Sequence, residues 1–252
     1  MKPSESLFID VRGLRLHVRA WGPEDAPGLV MLHGWMDVSA SFQFVVDALR
    51  REWRVLAPDW RGFGLSAWAG GDAYWQPDYL GDLDRLLPRL VGERPATLVA
   101  HSMGGNVACV YAGVRPDRVA RLVNLEGFGM RDGDPADAPA RYRRWLDELQ
   151  EPPRFREYAS FEELASRLAG INPRLTEARA RFLALHWGRE RDDGRVVLRS
   201  DPAHKTVNPV LYRGAEIAAC LRGITAPVLW LEGAQSDLLS RSGLTPAELA
   251  ER

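Results

Sequence analysis

Ser102 has the surroundings of a reactive serine. It lies in the segment Ala-His-Ser-Met-Gly-Gly (residues 100–105), after an apolar run that predicts a strand and before a run that predicts a helix. Small residues, Ala100 and Gly104, stand two positions before and after it. A serine at such a strained strand-to-helix turn is exposed, and the turn needs small neighbours. Glycine is usual two residues before such a serine, and Ala100 has the smallest side chain that could replace it. Ser102 is therefore a candidate nucleophile, which requires a base to take its proton.

A second motif, His-Gly-Trp-Met-Asp (residues 33–37), directly follows another predicted strand. Gly34 allows the backbone to turn there, so that the N–H of Trp35 can point beside the serine. Together with the N–H of Met103, it would stabilise an oxyanion that forms during attack. The two motifs thus predict nucleophile and oxyanion hole on neighbouring loops.

The third motif is a glycine-rich loop, Pro-Asp-Trp-Arg-Gly-Phe-Gly-Leu-Ser (residues 58–66). It lacks the Lys-Ser/Thr pair of a phosphate-binding loop and the acid-ended strand-helix-strand unit of a dinucleotide site. No nucleotide or other cofactor is predicted from it. The two cysteines, Cys109 and Cys220, are too few for a disulfide framework or a thiolate metal site, so no metal is predicted either.

These motifs must be positioned by alternating strands and helices. Residues 6–21 predict a hairpin, and strand patterns then recur at 28–33, 53–59, 96–101 and 119–126, separated by helical patterns. Apolar strands in this rhythm indicate a mostly parallel sheet covered by helices on both faces, an α/β fold.

The rhythm is interrupted in the second half of the chain. Residues 127–226 are richer in charge and in helix-start signals, including Ser160–Glu163 and Thr176, and predict a helical lid inserted into the sheet domain. The strand pattern resumes at 227–233. We expect one core, built from residues 1–126 and 227–252, with residues 127–226 as its lid.

Together the three motifs, in this order, resemble the α/β-hydrolase superfamily, and the chain is similar over its whole length to bacterial hydrolases akin to the serine-hydrolase-like proteins. The resemblance implies that Ser102 is the nucleophile and that the amides of Trp35 and Met103 form the oxyanion hole. It excludes haloalkane dehalogenases and epoxide hydrolases, which attack with an aspartate at this turn. An acyl-enzyme mechanism is expected.

The acid of this superfamily follows the serine in the chain and precedes the histidine. Asp237, in the loop after the last predicted strand, occupies the usual position and is the preferred candidate. Glu126, at the end of the preceding strand, is the alternative because some related enzymes place the acid there.

None of the five histidines has the expected position of the base. His17 is an ordinary strand residue, His33 and His101 belong to the motifs, and His186 and His204 lie in the predicted lid. Residues 245–248 form a capping box that opens a helix shortly before Arg252. We therefore expect the sequence to be truncated before the eighth strand and the catalytic histidine, which leaves the activity of this form in doubt.

Aromatic and sulfur-containing side chains are concentrated near the expected mouth of the site. We expect a substrate pocket formed by Trp35, Met36, Phe128, Met130 and Trp145, with Trp60 nearby. Such side chains favour an apolar acyl or aryl group, and a carboxylic ester is the preferred substrate.

Composition limits the partners. The formal net charge is -1 and no basic face is evident, so nucleic acid is not expected. The sequence contains no signal-peptide pattern and no apolar run of membrane-spanning length, so we expect a cytoplasmic protein. The sequence does not determine the oligomeric state.

Two alternatives remain open. The chain could be a non-catalytic hydrolase-like protein that binds a small apolar ligand or a partner. It could instead cleave a carbon–carbon bond or act as an aminopeptidase with the same fold.

Overall fold

A seven-stranded sheet forms the centre of the protein in the computed structural model, which describes residues 1–71 and 73–250. The strands are β1 (Ser4–Val11), β2 (Leu14–Trp21), β3 (Gly28–Leu32), β4 (Arg54–Pro58), β5 (Ala96–His101), β6 (Val119–Leu125), β7 (Gly188–Glu190), β8 (Val196–Leu198) and β9 (Val228–Leu231). The order in the main sheet is β1-β2-β4-β3-β5-β6-β9, and β7 pairs with β8 separately. From β4 to β9 the main sheet is parallel, as predicted.

Helices cover both faces of this sheet. They are α1 (Gln43–Ala48), α2 (Gln76–Val91), α3 (Met103–Val114), α4 (Ala138–Gln150), α5 (Phe161–Ile171), α6 (Glu177–Trp187), α7 (Gly214–Leu221), α8 (Leu238–Arg241) and α9 (Pro246–Ala250). Val30 and Leu32 of β3 join the core cluster that contains α2 and α3 residues, whereas Leu29 and Met31 pack with Phe42 and α1. Because successive strand residues point to opposite faces, this alternation confirms a sheet buried on both sides.

The carboxyl ends of the parallel strands lie along one edge of the sheet. The residues that follow β3, β4, β5 and β6 are His33, Asp59, Ser102 and Glu126. In open α/β sheets, ligands bind outside these strand ends. The fold thus brings the predicted motifs to one edge, although they are distant in sequence.

The predicted lid range contains its own small core. Helices α5 and α6 pack on each other and on β8 through Leu164, Leu183 and Val196. The predicted helix starts are present: Ser160 Oγ accepts the Glu163 N–H at 3.3 Å. Helix α7 differs, because it packs on α3 of the sheet domain, where a Cβ on Gly113 would lie 1.8 Å from the Cys220 carbonyl oxygen. The lid boundaries stay a prediction.

Strand β9 is less covered than the other parallel strands. It pairs with β6, and within the described residues no strand pairs with its other edge. Val228, Leu229 and Leu231 are 37%, 54% and 45% exposed. Helix α9 begins after Thr245 as predicted, and residues 251 and 252 lie outside the described part. No helix in that part has both the length and the apolar character that crossing a membrane requires.

Candidate active site

The backbone of Ser102 adopts an uncommon conformation. Its φ is +50° and its ψ is −114°, and it immediately precedes α3. The Ser102 N–H donates to the Leu125 carbonyl at 2.8 Å, and the Ser102 carbonyl accepts from Asn106 N–H at 3.0 Å. A non-glycine residue with positive φ stores strain that only firm surroundings maintain. The bonds to β6 and α3 supply that support.

Gly104 shows why the turn needs small residues. A Cβ at this position would lie 2.5 Å from the Leu32 carbonyl oxygen and 2.6 Å from that of His33. Both atoms belong to the end of β3, so they cannot move aside as a side chain could. Ala100, two residues before Ser102, is fully buried. The close approach of α3 to β3 fixes the start of the helix beside the serine.

The loop after β3 also approaches Ser102. A Cβ on Gly34 would lie 3.3 Å from Ser102 Cβ, so the backbone that leads into Trp35 passes beside the nucleophile. Neither Trp35 N–H nor Met103 N–H takes part in a hydrogen bond within the described part of the chain. Two amides without an acceptor beside a serine fit an oxyanion hole, and that role stays a prediction.

His33 has a structural task that removes it as a base. It is fully buried, its Nδ1 donates to the Gly34 carbonyl at 2.7 Å, and its Nε2 accepts from Trp60 N–H at 3.0 Å. Burial lowers the pKa of His33, more than neighbouring carboxylates raise it. Its neutral ring therefore joins the loops after β3 and β4.

Asp59 forms the other link between these loops. Its Oδ1 accepts from Ser39 N–H at 2.6 Å, and its Oδ2 accepts from His17 Nδ1 at 2.7 Å and from Leu65 N–H at 2.9 Å. Burial raises the pKa of Asp59, but these bonds and the nearby imidazoles outweigh it and lower the pKa to about 2. His17 lies in β2, as predicted, and the structure adds that it is a buried partner of Asp59.

The arginine of the glycine-rich loop does not face a phosphate site. Arg61 Nε donates to Asp82 Oδ2 at 2.6 Å, and Arg61 Nη2 donates to Asp82 Oδ1 at the same distance; Asp82 lies in α2. Asp82 is fully buried, so this bidentate pair attaches the loop to the helix below it. The charge of Arg61 is therefore balanced by a buried carboxylate of the protein itself.

A cavity of about 810 Å³ opens beside Ser102. Its wall is mostly apolar and combines residues of the sheet domain with residues of the predicted lid range. It includes Trp35, Tyr74, Trp75, Ser102, Met103, Val107, Glu126, Phe128, Met130, Arg141, His204, Val210, Arg213, Ile217 and Arg241.

Three of the five predicted pocket residues line this cavity, namely Trp35, Phe128 and Met130. Met36 and Trp145 are not among its described lining residues: Met36 has a φ of +59° and packs against the core, and Trp145 lies half-buried on α4. The position expected for Trp60 is also wrong. It is 1% exposed, because its indole N–H donates to the His33 carbonyl and turns the ring inward.

The two candidate acids have different environments. Glu126 lines the cavity with Ser102, has a φ of +58°, and accepts the Gly233 N–H at 2.8 Å. Asp237 does not line it; its side chain is 63% exposed and pairs with Arg241 at 2.7 Å. The structure thus brings Glu126, and not Asp237, into one cavity with the serine. The role of either residue stays a prediction.

His204 is the predicted lid histidine with the most unexpected position. Its ring stacks between Phe63 and Tyr74, with centroid distances of 3.8 and 3.7 Å. It is 9% exposed, its Nδ1 lies 3.3 Å from the Tyr79 hydroxyl, and burial lowers its pKa to about 3. His204 is therefore buried against the glycine-rich loop.

His186 also has a partner other than Ser102. Its Nδ1 lies 3.4 Å from Arg19 Nη2, and burial lowers its pKa to about 4. Within the described part of the chain, none of the histidines hydrogen bonds to Ser102. Likewise, no group of three or more His, Cys, Asp or Glu side chains there could hold a metal ion.

Sequence reasoning missed several cavity residues. Tyr74 and Trp75 precede α2, Arg141 lies on α4, and Arg213 precedes α7. The places of Arg141 and Arg213 depend on how the range 127–226 folds over the strand ends, and no local pattern in the sequence carries that information. The Asp237–Arg241 pair was also missed, because the sequence analysis placed Asp237 in a loop, whereas Arg241 ends the short helix α8.

Comparison with known proteins agrees with this geometry. The family model described as alpha/beta hydrolase fold matches residues 27–239. The chain belongs to the α/β hydrolase fold family. This confirms the predicted fold class and the resemblance on which it rested.

Individual relatives and structures share this fold. A serine hydrolase-like protein of Danio rerio is 32% identical over 191 residues, 73% of this chain. The match spans 58% of that protein, less than two thirds of its length. A 3-hydroxybutyrate-oligomer hydrolase of Cupriavidus necator is 31% identical, with 94% of this chain and 82% of that protein covered. A thioesterase domain from the curacin biosynthetic pathway superposes with a TM-score of 0.87 at 25% identity, covering 99% of this chain and 88% of that one.

Proposed function

We propose that this protein is a serine hydrolase that cleaves carboxylic esters with an apolar acyl or aryl part through an acyl-enzyme. The observation that carries the proposal is the strained Ser102, which lines a mostly apolar cavity. Beside it lie two amides that have no hydrogen-bond acceptor among the described residues. Family membership supports a hydrolase. The substrate and the reacting residues are part of the proposal.

In the proposed reaction, Ser102 Oγ attacks the ester carbonyl carbon while a base removes its proton. The carbonyl oxygen becomes negative and accepts hydrogen bonds from Trp35 N–H and Met103 N–H. The carbon–oxygen bond of the ester then breaks, and the alcohol leaves with the proton from the base. Water, activated by the same base, hydrolyses the acyl-enzyme and restores the serine.

The proposed acid is Glu126, with Asp237 as the alternative. Glu126 is favoured because it shares the cavity with Ser102 and is oriented by the Gly233 N–H, whereas the carboxylate of Asp237 is paired with Arg241. An acid in a hydrolase triad must hold an imidazole by a hydrogen bond, so a partner that competes for its oxygen weakens the case for it.

None of the five histidines of this sequence is proposed as the base. Those five have other contacts or do not bond to Ser102, and the family resemblance places the base later in the chain order. The experiment therefore asks whether added imidazole can act as the base.

The test uses a fluorophosphonate probe and p-nitrophenyl esters. We expect covalent labelling that Ser102→Ala removes and that Ser242→Ala, a second serine of the cavity, retains. Ester hydrolysis by the 252-residue chain should rise with added imidazole, which supplies the missing base. Labelling that persists in Ser102→Ala, or an imidazole effect equal in that variant and in the wild type, would overturn the proposal.

The choice between Glu126 and Asp237 as the acid is tested by measuring ester hydrolysis by protein that is active on p-nitrophenyl esters. We expect Glu126→Gln to lower kcat by about 10²-fold or more and Asp237→Asn to change it little, since removal of a triad acid costs up to about 10⁴-fold. The reverse result would restore Asp237 as the acid and leave the nucleophile unaffected.

A non-catalytic binding protein is the second candidate function. It is favoured by one observation: within the described residues no histidine bonds to Ser102. A folded protein that neither reacts with the probe nor responds to imidazole, but binds apolar esters in the cavity, would support this alternative.

A further inference from the structure

Three arginines line the cavity beside Ser102, and they differ in their partners. Arg213 pairs with Glu216 at 3.1 Å, and Arg241 pairs with Asp237 at 2.7 Å. Arg141 has no ion pair with any carboxylate in the described part of the chain. Of these three cations, Arg141 is therefore the one whose charge the described residues do not balance.

Arg141 is held in place by its neighbours. Its Nε donates to the Asn208 carbonyl at 2.6 Å, and Asn208 itself lines the cavity. The adjacent loop is attached to the same helix, because Val207 N–H donates to Glu148 at 2.6 Å. The side chain is thereby positioned, while its two terminal nitrogens form no hydrogen bond among the described residues.

The apolar character of the cavity increases the effect of this charge. Arg141 is half-buried, and the same cavity is also lined by Val210, Leu211 and Ile217. Near apolar surface, a charge is less well screened than in water, and an unpaired one is costly. A guanidinium with both terminal nitrogens available matches the two oxygens of a carboxylate, so a bound anion would remove this cost.

We propose that Arg141 selects anionic substrates: esters that carry a free carboxylate remote from the bond that Ser102 attacks. The proposal rests on the proposed ester hydrolysis and adds the charge of the substrate. An ester oligomer of a hydroxy acid has this chemistry, with one terminal carboxylate and internal ester bonds. The relative from Cupriavidus necator is named for such an oligomer.

The test measures binding rather than turnover, in the Ser102→Ala chain. The probes are monomethyl adipate, which has an ester at one end and a carboxylate at the other, and dimethyl adipate, which has no charge. Binding is followed by calorimetry and by the change in total tryptophan fluorescence, to which Trp35 and Trp75 of the cavity wall contribute. We expect monomethyl adipate to bind about tenfold more tightly, as charge-assisted hydrogen bonds would give.

Substitutions on α4 test whether Arg141 causes the preference for monomethyl adipate. Arg141→Gln should abolish the preference, so that the two probes bind equally. An unchanged urea denaturation curve shows that this variant is folded. Arg141→Lys should retain part of it, since the charge remains without the two-pronged geometry. Arg143→Gln, an exposed arginine of the same helix, should behave like the parent chain.

Two results would overturn the proposal. One is equal binding of the two probes in the Ser102→Ala chain, and the other is a preference for monomethyl adipate that survives Arg141→Gln. Neither result depends on hydrolysis. A protein that keeps the Arg141-dependent preference but never reacts at Ser102 would contradict the proposed function and leave the anion site in place.

Discussion

Ser102 and Asp237 follow two strands of the same sheet, yet their surroundings differ. Around Ser102, the ends of β3, β5 and β6 and the start of α3 are in backbone contact, and the conformation is supported from several sides. Around Asp237, the side chain is 63% exposed and the described contact of its carboxylate is an ion pair one helical turn away. The nucleophile is placed by interior packing, whereas Asp237 is placed by a local surface contact.

This difference shows which parts of the site are fixed by packing and which parts can be rearranged. A position fixed by close-packed backbone resists change, because neighbouring atoms have no free volume into which to move. A surface position costs little to rearrange. Substitutions in the first region should therefore affect stability and reactivity together, and substitutions in the second region should affect stability little.

Gly104→Ala should have the largest effect. The added methyl carbon would lie 2.5 Å from the Leu32 carbonyl oxygen, which is closer than two such atoms can approach. Overpacking of this kind lowers the free energy of unfolding by about 3 kcal/mol. Urea denaturation measures that loss, and the fluorophosphonate probe should label Ser102 more slowly in the fraction that folds.

Gly170→Ala is the matched control. Gly170 lies exposed in α5, and no atom lies within 4 Å of the place that an added methyl would take, so alanine should stabilise the helix by about 0.5–1 kcal/mol. Equal loss of stability in both variants would contradict the view that the turn at Ser102 is specially close-packed.

Asp59→Asn should have the next largest effect, and the effect should depend on pH. The folded-state pKa of Asp59 is lowered to about 2, below its value in an unfolded chain, so its charge stabilises the fold above about pH 4. This contribution is lost as the pH falls through 2. The variant should be less stable than the wild type by about 2 kcal/mol at pH 7, and the gap should nearly close at pH 2.

Denaturation curves at pH 7, 5, 3 and 2 measure this gap. Asp10→Asn, an exposed aspartate on β1, should follow the wild type throughout. If the gap between Asp59→Asn and the wild type instead widened as the pH fell, the assigned direction of the pKa shift would be wrong.

Leu229→Lys should have the smallest effect on stability. The side chain is 54% exposed on β9, so the free energy of unfolding should change by less than about 0.5 kcal/mol. The added charge should reduce self-association at high protein concentration, measured by light scattering, because apolar strand edges favour pairing between chains. Leu122 lies on the adjoining strand and is 1% exposed, so Leu122→Lys should unfold the protein, unlike Leu229→Lys.

The sequence was sufficient for the features that depend on local patterns. Apolar runs predicted the parallel strands, and the turn at Ser102 was predicted from Ala100 and Gly104 because small residues are required where backbones approach. The start of α9 was predicted from Thr245 and Glu248, whose side chains and backbone do bond to each other.

Contacts between distant segments could not be predicted in this way. His17 and Asp59 are 42 positions apart, and their pairing depends on β2 lying next to β4. Trp60 was expected at the mouth because it is aromatic and near a motif, but a hydrogen bond to His33 turns it into the core. Arg141 carries no sequence signal, since its cavity exists only after the lid range folds over the sheet.

The stack of His204 between Phe63 and Tyr74 joins the predicted lid range to the glycine-rich loop without an ion pair. With a pKa of about 3, the imidazole is uncharged near neutral pH, so dissolved ions have no charge to screen at this contact. Separation would expose four ring faces to water, two of His204 and one each of Phe63 and Tyr74, and the cost of that exposure decreases on cooling. The attachment of the lid should thus be tolerant of salt and weaker in the cold.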